Sequence, residues 1–162
     1  MLFENTKTIQ APIERVWAML FDPKLMAECM PGTESVETIG ATEFVVHVRV
    51  KVSFISARFK VNLNVVETRP PTYLRSEGSG ADSMVANSFK QWSEVFLTAK
   101  GHDTTELTIK SKVDVLGRLG TFGLSIIKTK ADRIWEEFGR NFAARVQATA
   151  AAPEADAHSV KS

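Results

Sequence analysis

One cysteine in 162 residues, Cys29, leaves no internal disulfide to be made. Three histidines accompany it, with no pair of Cys or His at ligand spacing, which argues against a structural zinc site and leaves no metal site in the reading. An excess of either charge is missing as well. Twenty Lys and Arg stand against nineteen Asp and Glu, and no basic stretch is dense enough to neutralise a run of phosphates, so nucleic acid is not an expected partner. No window approaches the roughly 18 consecutive apolar residues of a membrane-spanning helix. The N-terminal Met1 to Lys7 carries Glu4 and Asn5 where an export signal would need a basic stretch and an apolar core, so the expected compartment is the cytoplasm. The length suits a single domain that buries its core without staples.

What the chain does have is periodicity. Phe3 to Ile9 reads as a strand, stopped at Ala11-Pro12 because proline cannot continue the ladder. Ile13, Val16, Trp17 and Leu20 recur at helical spacing, and Asp22-Pro23 supplies an N-cap and first residue for a second short helix through Cys29. Pro31-Gly32 turns the chain into a weak strand, Thr33 to Ile39. Phe44, Val46, Val48, Val50 and Val52 then alternate with Glu43, His47, Arg49 and Lys51, interrupted only by Val45. Ala57, Phe59, Val61, Leu63 and Val65 repeat the pattern after a Phe54-Ile55-Ser56 turn. Tyr73 to Glu77 begins another strand before Gly78 to Asp82, a loop by composition. Met84 to Ala99 is ambiguous: Phe89, Gln91, Ser93, Val95 and Leu97 share one parity, Trp92 and Phe96 the other, implying a bulge or burial on both faces. After a Gly101-His102-Asp103 turn, Leu107, Ile109, Ser111, Val113 and Val115 face one way in a final strand. Leu119, Phe122, Ile126, Ile127, Ile134, Phe138, Phe142 and Val146 stripe a long helix from Thr121 to about Val146.

This order predicts an α+β helix-grip fold: a seven-stranded curved antiparallel sheet wrapped on a long C-terminal helix, with two short helices after the first strand. Residues 1–149 make the domain, and the Ala-rich residues 150–162 read as a disordered tail. A curved sheet closed by one helix has a concave face larger than the helix can fill, which favours an apolar cavity.

Three pieces of sequence carry a family resemblance: Ala11-Pro12 with Val16-Trp17 and Leu20; Asp22-Pro23 leading to Cys29-Met30-Pro31-Gly32; and the run Gly117-Arg118-Leu119-Gly120-Thr121-Phe122-Gly123 with Phe138 and Phe142. On these the chain resembles the carbon monoxide dehydrogenase G-subunit (CoxG) family, within the START-like, polyketide-cyclase-like helix-grip (SRPBCC) superfamily, over about Phe3 to Val146. The middle piece is the most specific. The resemblance implies an accessory protein for molybdenum hydroxylases of the carbon monoxide dehydrogenase type, which meets the large subunit of such an enzyme, helps bring it to the membrane and holds a quinone or lipid with no covalent cofactor. Many members continue into a hydrophobic C-terminal anchor. Here a polar tail ends at Ser162, so the expected membrane contact is transient and peripheral, at the inner face.

Strand parity directs Val46, Val48, Phe59, Val61, Leu63, Val95, Ile109 and Val113 inward as ligand walls, with Met30 beside them and Phe122, Ile126 and Ile127 at the cavity mouth. Ser93 and Ser111 are the inward hydroxyls, which bond either to the protein or to the polar group of an apolar ligand. Met26 and Met84 add flexible thioethers that fit a ligand or fill gaps. No acid, base or nucleophile constellation points inward. His47 falls on an outward face, His102 in a turn and His158 in the tail, and Cys29 reads as a small buried hydrophobe. Lys128, Lys130 and Arg133 either flank the opening and attract an anionic headgroup or form an ordinary solvated helix face. The Pro31-Gly32 turn, following a helix that touches little, is a candidate gate. The leading reading is a non-enzymatic binder. The alternatives are a cyclase- or hydrolase-type enzyme using Ser111, and an interaction protein whose interior is filled by its own side chains, which a cavity below about 300 Å³ would favour.

Overall fold

Period-two patterning over most of the chain and a single long helical stripe at its end become one sheet and one covering helix. The structure, a computed structural model, describes residues 1–52, 54–82, 87–117 and 123–151. In chain order the elements are Leu2–Ile9 (β1), Ile13–Leu20 (α1), Pro23–Cys29 (α2), Thr33–Thr38 (β2), Glu43–Val52 (β3), Ile55–Arg69 (β4), Tyr73–Asp82 (β5), Asn87–Gly101 (β6), Thr104–Leu116 (β7) and Leu124–Ala151 (α3). The strands form one antiparallel sheet in the order β1-β7-β6-β5-β4-β3-β2. Consecutive strands from β2 to β7 are therefore neighbours, and β1 closes against β7.

The short helices start where the chemistry places them. Pro12 sits in extended geometry before α1, and the Asp22 carboxylate accepts the Leu25 amide at 3.2 Å while Pro23 occupies the first turn of α2. In α3, Phe138, Phe142 and Val146 are fully or almost fully buried, and the two phenyl rings stack at 5.7 Å. They join Ile9, Val16, Leu20, Leu25, Leu97 and Leu107 in a densely packed core. A second, smaller core gathers Val52, Ile55, Ala57, Phe59 and Val61 around Ile127 near the other end of the helix.

Several boundaries differ from the sequence expectation. Ile55 and Ser56 belong to β4 rather than to the turn, because Val52↔Ile55 is already a paired position. Gly78 to Asp82 is not a loop: it is strand, paired from Gly78↔Gln91 to Asp82↔Asn87 on one side and from Leu63↔Gly78 to Lys60↔Ala81 on the other. Two neighbouring ladders hold backbone that composition alone would release. The ambiguous β6 resolves as burial on both faces, since its register to β7 is unbroken from Ser88↔Leu116 to Ala99↔Thr105. Outward Trp92 lies under Lys112 at 5.1 Å, and outward Phe96 under Lys110 at 5.4 Å and beside Tyr73 at 5.2 Å. The helix extends to Ala151, past both Val146 and the expected domain boundary at 149. Its expected start at Thr121, the Met84 position and the tail from residue 152 lie outside the described residues.

The segment read as a loose gate is tied down. Gly32 adopts φ +86°, and a Cβ there would meet the Arg49 carbonyl oxygen at 2.4 Å, so only glycine lets this turn close on β3, where the Arg49 amide donates to the Gly32 carbonyl at 2.8 Å. Asn141 Nδ2 donates to the Cys29 carbonyl at 3.0 Å, and Arg145 pairs with Glu28 at 2.6 Å.

Candidate ligand cavity

Between the two cores α3 rests on β1, where Glu136 accepts from Lys7 at 2.7 Å and from Asn5 at 3.0 Å, and leaves a space over the strands beyond it. A cavity of about 370 Å³ lies there. Its walls follow strand parity. β3 contributes Phe44, Val46, Val48, Val50 and Val52; β4 contributes Phe59, Val61, Leu63 and Val65; β6 contributes Phe89, Gln91, Ser93 and Val95; β7 contributes Ile109, Val113 and Val115. The helix side is Ile127, Lys130, Ala131, Ile134, Trp135 and Phe138, and Met26, Met30 and Pro31 close one flank.

β5 carries the smallest inward side chains of the sheet. Its inward positions after Leu74 are Ser76, Gly78 and Gly80, so the middle of the sheet presents almost no side chain towards the helix. A Cβ at Gly80 would stand 2.9 Å from the Lys60 carbonyl oxygen, and one at Gly78 would stand 3.1 Å from Gln91 Cγ and Nε2. Both glycines admit their neighbours closely: the side chains of Gln91 and Leu63 lie over Gly78, and the backbone and side chain of β4 at Lys60 and Val61 lie against Gly80.

Polar groups are few and grouped. Ser76, Ser93 and Ser111 align across β5, β6 and β7 through the pairs Ser76↔Ser93 and Ser93↔Ser111. Ser93 Oγ lies 2.9 Å from Ser111 Oγ and donates to Gln91 Oε1. Gln91, Ser76 and Ser93 all lie on the cavity wall and are buried. Thr33, on the opposite side, has a buried hydroxyl with no hydrogen-bond partner among the described residues. Lys130 is the one charged side chain on the lining among the described residues, and no ion pair among them holds it. Lys128, by contrast, is engaged by Asp132 at 3.2 Å and by the Phe3 ring at 4.7 Å, and Arg133 is exposed.

Of the residues expected at the site, Met30, Val46, Val48, Phe59, Val61, Leu63, Ser93, Val95, Ile109, Val113 and Ile127 line the cavity. Ser111 does not. It is buried between Ser93 and Phe3, its cross-strand neighbours on β6 and β1, and is hydrogen-bonded to the lining hydroxyl of Ser93. Ile126 is also outside: one residue from Ile127 is about 100° around a helix, which leaves it 49% exposed. Phe122 lies outside the described residues. Sequence reasoning missed Gln91, Ser76, Thr33 and Trp135. Gln91 had the signal of sharing parity with Phe89 and Val95, and Trp135 that of following Ile127 by eight positions, about two helical turns. Ser76 was hidden by the reading of its neighbours as loop.

His47 faces outward, 3.9 Å from Glu37. Cys29 is fully buried, and that burial is the main cause pushing its thiol pKa above the ordinary value, against the pull of Arg145.

A curved antiparallel sheet gripping one long helix around an apolar cavity defines the START-like, helix-grip class of protein. Solved structures share this fold. A conserved protein from Geobacillus kaustophilus superposes with a TM-score of 0.84 at 17% identity, covering 92% of this chain and 97% of that one. The ZhuI aromatase/cyclase from Streptomyces sp. R1128 gives 0.68 at 18% identity, with 92% and 94% covered. A START superfamily protein from Mycobacterium smegmatis gives 0.68 at 15% identity, with 90% and 97% covered. None of the curated proteins matches the sequence. The family profile of the carbon monoxide dehydrogenase G-subunit (CoxG) matches residues 6–147, and the chain belongs to that family. Among the described residues no helix is long and apolar enough to cross a membrane.

Proposed function

We propose that this protein is a non-enzymatic carrier of a lipophilic small molecule, quinone- or lipid-like, serving a molybdenum hydroxylase of the carbon monoxide dehydrogenase type by delivering an electron acceptor or by bringing the enzyme to the membrane. The observation that carries the reading is the 370 Å³ apolar space with a single charged side chain on its described lining. Such a volume exceeds the roughly 300 Å³ at which ligand sites begin, and water confined against aliphatic walls would gain little by staying. Membership of the CoxG family supports the hydroxylase as partner. The apolar lining supports the carrier over the cyclase- or hydrolase-type alternative, and turnover retained in Ser111→Ala and Ser93→Ala would remove those hydroxyls as its nucleophiles.

Native mass spectrometry of the gently extracted protein tests the carrier reading. A lipophilic adduct, or uptake of added quinones or phospholipids at one per chain, is expected. No adduct and no uptake would overturn it. Affinity capture from membranes of the source cells should bring down a molybdopterin-binding large subunit, and capture without one would leave ligand carriage alone standing.

A further inference from the structure

We infer that the β5–β6 wall of the cavity selects a neutral carbonyl oxygen, with Gln91 and Ser76 as its hydrogen-bond donors. This rests on the reading of the cavity as a ligand site. The hydroxyl protons can be counted. Ser93 and Ser111 each own one hydroxyl hydrogen, and three polar groups are linked in a row, Ser111 to Ser93 at 2.9 Å and Ser93 to Gln91. If Ser111 donates to Ser93 and Ser93 to Gln91 Oε1, both hydrogens are used and every buried oxygen in the chain has a partner. The opposite polarity would leave the Ser111 hydrogen buried with no acceptor among the described residues, a state that folded proteins avoid. The hydroxyl chain therefore fixes the amide: its oxygen faces Ser93, and both hydrogens on Nε2 remain for the cavity.

Space has been left for that group. Gly78 is directly across from Gln91, and a Cβ there would press on Nε2 from 3.1 Å. Ser76 lies across from Ser93, 9% exposed, on the lining, its hydroxyl bonded to nothing among the described residues. Two neutral donors on one otherwise apolar wall suit a neutral acceptor. A carboxylate would lose its hydration without a cation on that wall, since Lys130 belongs to the helix side. A pure hydrocarbon would bury both donors unpaired, the situation in which a polar site discriminates most strongly. The ligand class is thus a lipophile bearing a ketone, quinone or ester carbonyl. Ser93 and Ser111 act as positioning residues, through the orientation of Gln91.

Two probes of one shape test this: 2-acetylnaphthalene and 2-isopropenylnaphthalene, in which a C=CH₂ replaces the C=O. Calorimetric titration of the full chain should show that Gln91→Leu reduces the preference for the ketone over the hydrocarbon by roughly 3- to 10-fold, the range of one neutral hydrogen bond. Both probes binding with the same preference in wild type and variant would overturn the donor assignment and leave the carrier reading intact. Neither probe binding wild type would overturn both. Should Gln91→Leu fail to fold, the infrared carbonyl stretch of 2-acetylnaphthalene on wild-type protein decides: a frequency below that in hexane supports the inference, a frequency equal to it rejects it. Ser111→Ala, which touches no ligand, should return that frequency part of the way towards hexane.

Discussion

Tyr73 is the only tyrosine in the chain, and its hydroxyl donates to Glu94 Oε2 at 2.6 Å on the outer face of the sheet. That hydrogen bond foremost, then burial and the negative charge of Glu94, raises its pKa above the ordinary phenol value of about 10. A raised folded-state pKa means that the stabilisation is complete below about pH 10 and is lost as the pH climbs through the folded value. Near-ultraviolet phenolate absorbance reports this one residue. It is expected to titrate late in the wild type and earlier in Glu94→Gln, and coincident curves would show that the carboxylate has no hold on the phenol. Individual residues were unevenly legible in the sequence. The inward valines of β3 and β4 followed directly from alternation, because a one-residue slip would expose them all. Gln91, Ser76 and Thr33 did not stand out, since a polar side chain on an apolar face means little until its partners are known. Ser111 shows the converse: its inward parity was readable, but its burial between Ser93 and Phe3 depends on where β1 joins the sheet.

At the scale of the element, α3 has two characters along one length. Phe142 is fully buried among aromatic and aliphatic neighbours, whereas Ile127, 7% exposed, packs on the small core and borders the cavity. Phe142→Ala is expected to cost about 3–5 kcal/mol, and Ile127→Ala about 2 kcal/mol, the lower end for such truncations, because empty space on one side already denies it contacts. Urea midpoints at constant slope measure both, and equal losses would mean that the helix is packed uniformly. The helical stripe announced burial but gave no hint of this division. β5 is the element that composition misread most. Ser76, Gly78 and Gly80 preserve strict alternation with Glu77, Ser79 and Ala81, so the strand was present in the pattern; what composition took for a loop is a strand whose inward side chains have been removed. β6 was misread more mildly, since two outward aromatics shielded by lysine stems imitate a register shift.

For the whole molecule, the order of elements was the most legible property, and the seven-stranded sheet with its closing helix followed from it. The cavity itself was legible only as a geometric tendency. Its reality depends on long-range facts: which strands face the helix, and how far the two cores stand apart. A protein built around unfilled apolar space gives up packing that an occupant can restore. An occupant present at about 100 times its dissociation constant should add about 2.7 kcal/mol to stability, which for a domain of this size raises the melting temperature by roughly 5–10 °C. Differential scanning calorimetry against a concentration series checks this, and a melting temperature indifferent to a bound lipophile would place binding outside the fold.

Of the three tryptophans, Trp135 alone lines the cavity, set edge-on to Phe138 at 6.1 Å, while Trp17 packs against Phe21 and Trp92 faces outward beneath Lys112. The interior therefore contains its own lamp: a conjugated guest that settles beside that indole is expected to dim or recolour its emission, so filling and emptying can be followed by light, without label or tag.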